Sequence, residues 1–74
     1  MEKKMNFKCT LSDIDPDCLS YLMDVIGRMT AQSIKADSSH IAFECCGNDI
    51  AQLVDLHQRD IILCNISYSR IKSL

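Results

Sequence analysis

The sequence predicts a small single-domain protein of the α/β class, with an α+β arrangement as the alternative. Three observations support this class. The chain has 74 residues, of which 47% are hydrophobic, and that is enough for one core and one domain, residues 1–74. Apolar residues alternate in three segments and recur at helical spacing in the two segments between them. Two glycines and one proline leave little chain for loops. We therefore expect a two-layer sandwich of order β-α-β-α-β, with both helices on one face of a three-stranded sheet.

The first strand and the first helix are predicted from alternation and from capping residues. Residues 5–11 alternate, with Met5, Phe7, Cys9 and Leu11 on one face. Pro16 suits the first turn of a helix, and residue 15 is an aspartate that suits its N-cap. The helix is predicted to run over residues 16–35. Its expected apolar stripe consists of Leu19, Leu22, Met23, Ile26, Met29 and Ser33.

The second half of the chain predicts a strand, a short helix and a last strand. In residues 40–46 the inward side chains are Ile41, Phe43 and Cys45, and the outward ones are His40, Ala42, Glu44 and Cys46. Asn48 or Asp49 is expected to cap a helix that ends near residue 58, although its full extent is left open. Residues 61–68 form the third strand. Its inward residues are Ile62, Cys64, Ile66 and Tyr68, and its outward residues are Ile61, Leu63, Asn65 and Ser67.

The five cysteines are expected to act as small buried hydrophobic residues. Their number is odd and their spacing irregular, which argues against a disulfide scaffold. Cys45 and Cys46 are adjacent in a strand, so they point to opposite faces and are poorly placed to bind one metal ion together. No Cys-x-x-Cys spacing is present. We expect no metal, no cofactor and, because neither a membrane span nor a signal sequence is recognisable, a cytoplasmic protein.

Cys18 supports an alternative function. It is predicted to lie in the first turn of the first helix, where the helix dipole favours a thiolate. This layout resembles that of the small persulfide-carrier proteins, which have a Cys-Pro-x-Pro motif where this chain has Asp15-Pro16-Asp17-Cys18. The resemblance would imply a thiol or persulfide carrier that uses Cys18.

A second alternative is a weak nucleic-acid-binding module. The basic residues near the two termini could form a positive edge if the first and last strands are neighbours; they are Lys3, Lys4, Lys8, Arg70 and Lys72. The net charge is −2, and the four aromatic residues do not alternate with these cations as in a base-stacking surface. Nucleic-acid binding is therefore not the main expectation.

The main expectation is a non-enzymatic regulator or inhibitor that acts by protein–protein contact. The outward sheet face should be half apolar and uncovered, which favours a protein partner and a homodimer. An acidic turn offers a second contact surface. The expected contact residues are Ala42, Glu44, Cys46, Ile61, Leu63, Asp13, Asp15 and Asp17. A small surface-acting domain of this kind suits an accessory modulator, such as one encoded by a mobile element.

Overall fold

The computed structural model describes residues 6–29 and 31–71, which form an α+β fold with two helices and a four-stranded antiparallel sheet. The strand order is β2-β3-β1-β4. The α+β arrangement, predicted as the alternative to α/β, is confirmed, but the predicted three strands and the order β-α-β-α-β are wrong, because an additional strand follows the first helix. The elements are β1 (Phe7–Ser12), α1 (Pro16–Arg28), β2 (Gln32–Ala36), β3 (Ile41–Cys45), α2 (Gly47–Gln58) and β4 (Asn65–Arg70).

The topology consists of two interleaved β-α-β units. Helix α1 connects β1 to β2, and β3 lies between these two strands in the sheet. Helix α2 connects β3 to β4, and β1 lies between those two strands. Both helices pack on one face, here called the inner face, because their buried residues share a single core with the inner residues of β1 and β3. The opposite face of the sheet is called the outer face.

The largest difference from the sequence prediction concerns residues 29–36. Helix α1 ends at Arg28, and Met29 is already extended, with φ −80° and ψ 168°. Ser33, predicted to belong to the core stripe, is exposed and has a φ of 55°. Beyond Met29 the helical stripe contains only this polar residue, so a longer helix would bury little. Residues Gln32–Ala36 instead pair with β3 and satisfy the backbone groups of its edge.

The core confirms most of the predicted inward positions. Cys9 and Leu11 of β1 are buried, and so are Ile41, Phe43 and Cys45 of β3. The predicted Met5 lies outside the described residues. The stripe of α1 is confirmed at Leu22 and Ile26, and Val25 joins it; Met23 is 43% exposed, so its assignment to the core was wrong.

Strand β4 begins later than predicted. Its register places Ile66 opposite Leu11 and Tyr68 opposite Cys9, which confirms that these two residues belong to the inner face. Residues 59–64 form the connection from α2, because the chain must cross β1 between β3 and β4. Ile61 and Leu63 lie in this connection, so their predicted place on the outer sheet face is wrong.

Candidate functional site

The outer face of the sheet contains two of the predicted contact residues. Ala42 and Glu44 lie opposite Thr10 and Lys8 of β1, and Ala42 also lies opposite Lys35 of β2. A shallow depression of about 280 Å³ on this face is lined by Lys8, Ser33, Lys35, Ala42, Phe43 and Glu44. The face is mainly polar, and the predicted half-apolar surface is absent there because Cys46, Ile61 and Leu63 lie elsewhere.

Cys46 is a structural residue at the start of α2. It is the N-cap of the helix and is only 8% exposed, so its predicted outward position on the sheet is wrong. Its Sγ donates to Oδ2 of Asp49 at 3.2 Å, and its backbone N–H donates to the same oxygen at 3.4 Å. The spacing of Cys46 and Asp49 is that of an N-cap and an N3 residue, which is the sequence signal that could have identified this cap.

The other five predicted contact residues lie in two segments that hydrogen bonds join to each other. Asp13, Asp15 and Asp17 belong to the β1–α1 turn and the start of α1, whereas Ile61 and Leu63 belong to the α2–β4 connection. We call these five residues the acidic end. The backbone N–H of Asp15 donates to the carbonyl oxygen of Leu63 at 2.9 Å, which joins the two segments directly.

A second hydrogen bond joins the acidic end to β4. The Asn65 side-chain amide donates to Oδ2 of Asp13 at 2.9 Å, although the two residues are 52 positions apart in the chain. Asp15 is the N-cap of α1, as predicted, and its Oδ1 accepts the backbone N–H of Asp17 at 2.9 Å. The carboxylates of Asp13 and Asp15 are therefore held by hydrogen bonds, and Asp13 and Asp17 are exposed residues.

The apolar residues of the acidic end are exposed. Leu63 is 48% exposed and Ile61 is 41% exposed, whereas Ile62 between them is fully buried. Ile62 thereby anchors the connection in the core and turns both neighbouring side chains outward. The exposed Leu63 thus lies in a segment whose backbone is hydrogen-bonded to that of Asp15.

Cys18 lies at the base of this surface. It is half-buried in the first turn of α1, and its Sγ is 3.2 Å from the carbonyl oxygen of Asp15 and 3.6 Å from that of Leu63, either of which can accept its proton. The backbone N–H of Leu63 donates to the same sulfur at 3.4 Å. The described contacts of this thiol thus connect α1 to the α2–β4 connection.

Three other thiols are held in their protonated forms. Burial raises the pKa of Cys9 to about 12, with a smaller contribution from the neighbouring Cys45 and Cys64. Burial also raises the pKa of Cys45 to about 11, assisted by the charge of Asp49. The pKa of Cys64 is raised by burial and, to a smaller extent, by Cys18. At neutral pH these side chains behave as small apolar groups, as the sequence predicted.

The basic residues of β1 and β4 do not form one surface. Lys8 lies on the outer face, opposite Ser69, whereas Arg70 lies on the inner side with its guanidinium carbon 5.5 Å from the centre of the Phe7 ring. The remaining cations of the predicted positive edge, Lys3, Lys4 and Lys72, lie outside the described residues.

Residues 6–29 and 31–71 contain no cluster of three histidine, cysteine or acidic side chains placed to hold a metal ion. Neither α1 nor α2 is long and apolar enough to cross a membrane. Comparison of the chain with protein-family models, with curated proteins and with solved structures found no match.

Proposed function

We propose that this protein is a small non-enzymatic regulator or inhibitor that acts by protein–protein contact, with the acidic end as its contact surface. The observation that supports the proposal most strongly is that the connection with the exposed Leu63 and Ile61 is joined to the turn that carries Asp13 and Asp15. These residues come from two distant segments that are joined by hydrogen bonds between Asp15 and Leu63 and between Asn65 and Asp13.

The chemistry of this surface favours a partner with an apolar pocket and basic residues around it. Complete burial of an aliphatic side chain contributes about 1.5–3 kcal/mol, and about half of Leu63 remains to be buried. The neighbouring carboxylates would orient a basic partner and exclude acidic ones. Because the backbone of both segments is already fixed, little conformational entropy would be lost on binding.

The wider setting of this activity is also part of the proposal. We infer a cytoplasmic accessory protein, of the kind that mobile elements encode, which self-associates as well as binding a partner. The cytoplasmic setting is supported by the five free cysteines, because thiols stay reduced in the cytosol. The accessory role is supported by the surface described above rather than by a sequence motif.

The proposal is tested by capturing partners with tagged wild-type protein and with two lysine variants. Leu63→Lys removes the exposed aliphatic side chain and places a cation in the acidic end, where it can reach water in the free protein. In a complex the ammonium would face the partner's apolar pocket and would offset the charge that attracts its basic residues. Met23→Lys is the matched control, because Met23 is a similarly exposed apolar residue on α1. We expect Leu63→Lys to lose the captured protein and Met23→Lys to retain it, with unchanged circular dichroism for both.

The nature of the captured molecule distinguishes the proposal from its alternatives. Capture of a sulfur-transfer enzyme that is lost in Cys18→Ser would favour a thiol carrier. Capture of DNA or RNA would favour nucleic-acid binding. A protein that binds wild type and Leu63→Lys equally well would contradict the assignment of the acidic end, and the outer sheet face with Ala42 and Glu44 would become the next surface to test.

A further inference from the structure

The two edges of the sheet differ in how they are protected against pairing with another chain. At the β2 edge the pairing with β3 is irregular between Gln32 and Lys35, and Ser33 has a positive φ. Such a bulge and a lysine are devices that prevent edge-to-edge association. At the other edge, β4 pairs residue by residue with β1 over its whole length, and its one charged residue is Arg70. Among the described residues, the β4 edge is therefore the more regular and the less protected of the two.

One hydrogen bond shows which backbone groups of β4 point away from the sheet. The N–H of Ile71 donates to the carbonyl oxygen of Asn6 at 2.7 Å, so the backbone of residue 71 faces β1. Successive residues of a strand direct their backbone groups to opposite sides. Residues 65, 67 and 69 therefore face β1, whereas Ile66, Tyr68 and Arg70 direct their N–H and C=O groups away from it. No described strand pairs with that side.

We propose that two copies of this chain associate through antiparallel pairing of their β4 strands, with Tyr68 opposite Tyr68 of the second copy on the two-fold axis. In this register Ile66 lies opposite Arg70 of the second copy. The three residues whose backbone groups point away from β1 therefore all form hydrogen-bonded pairs with the second copy. The two four-stranded sheets become one continuous sheet of eight strands. This inference deepens the self-association proposed above by naming its surface, and it does not involve Leu63.

The side chains of β4 favour a second copy as the occupant. Tyr68 is 51% exposed although it belongs to the inner face, where its ring meets Phe7 edge-on with a centroid distance of 6.4 Å. Pairing would bring the two Tyr68 side chains side by side and cover this surface, and cross-strand aromatic pairs are favourable.

The one charged residue of β4 is compatible with the same register. Arg70 of each copy lies opposite Ile66 of the other copy, so the pairing of the two β4 strands brings no like charges directly opposite each other.

Sedimentation equilibrium of the whole protein tests the dimer. We expect wild type to have the mass of two 8.4 kDa chains. Tyr68→Lys would place like charges directly opposite each other at the axis, and we expect it to raise the dimer dissociation constant by about tenfold or more. Tyr21→Lys is the matched control, because Tyr21 is an exposed tyrosine on α1, and it should remain dimeric. Circular dichroism verifies that both variants fold.

Cross-linking tests the register. Opposed residues of a hydrogen-bonded pair have Cα atoms about 5.5 Å apart, within the range that a disulfide spans. Tyr68→Cys should therefore form a covalent dimer on oxidation with diamide, which accepts the two thiol hydrogens. Ser67→Cys, whose residue lies opposite Ser69 of the second copy, should cross-link more slowly, and wild type measures the background of the native thiols.

Three results would overturn the inference. They are a monomeric wild type, equal dimerisation of the Tyr68→Lys and Tyr21→Lys variants, and faster cross-linking of Ser67→Cys than of Tyr68→Cys. A monomeric wild type that still captures a partner through Leu63 would refute the dimer and leave the proposed contact surface intact. Conversely, a β4 dimer that captures no partner would refute the contact surface alone.

Discussion

The buried thiols allow a quantitative prediction of chemical reactivity. Iodoacetamide reacts with the thiolate, and the pKa of Cys9 is raised from 9.0 to about 12. At pH 8 this shift of three pH units reduces the thiolate population about a thousandfold relative to the unfolded chain. For Cys45, with a pKa of about 11, the reduction is about a hundredfold. Complete burial of both side chains lowers access to the reagent further.

The assay is a time course of alkylation at pH 8 followed by mass spectrometry of the peptides. Each cysteine is compared with the same cysteine in the chain unfolded by denaturant, which serves as the internal reference. We expect Cys9 and Cys45 to be protected by at least the factors given above, and Cys46 to be protected as well because it is buried. If folded protein, verified by circular dichroism, were alkylated at Cys9 within tenfold of the unfolded rate, the reasoning would be refuted.

Four substitutions test the packing and the helices by urea unfolding. Leu22→Ala should lower the free energy of unfolding by about 2–5 kcal/mol, because Leu22 is fully buried. Gln32→Ala should change it by less than about 0.5 kcal/mol, because Gln32 is exposed. Equal effects of the two substitutions would contradict the assignment of Leu22 to the core. Gly27→Ala should raise the free energy of unfolding by about 0.5 kcal/mol, because an added methyl group meets no atom within 4 Å and alanine favours the helix. Destabilisation by this substitution would mean that other atoms occupy the space beside Gly27. Asp49→Ala should lower the free energy of unfolding by about 1–2 kcal/mol, because the hydrogen bonds from Cys46 to the Asp49 carboxylate are lost. An unchanged free energy of unfolding would disprove a stabilising role of this cap at the start of α2.

The elements that the sequence predicted well are those in which local pattern and burial agree. Alternation placed Cys9 and Phe43 on the correct face of their strands, and the pair Asp15-Pro16 marked the start of α1. Strand β2 was missed because all of its residues are exposed and its sequence QSIKA has no alternating apolar pattern. It is stabilised by pairing with β3, which is a contact that no local pattern contains.

The sequence predicted the individual residues of the acidic end, but it did not predict that they lie in two joined segments. The apolar run at residues 61–64 has the composition of a strand, yet the chain needs this segment to cross β1 before β4 begins. Leu63 therefore lies beside Asp15 instead of on the outer sheet face, and Asp13 meets a residue 52 positions away. Contacts of this range depend on the strand order, which the sequence alone did not determine.

Hydrogen exchange of the complex with the captured partner tests the proposed contact surface most directly. The proposal predicts slower exchange of the amides of residues 13–18 and 61–64 in the complex than in the free protein, with residues 32–36 of β2 unchanged. Protection that is confined to β2 and β3 around Ala42 and Glu44, with residues 13–18 and 61–64 exchanging as in the free protein, would contradict it.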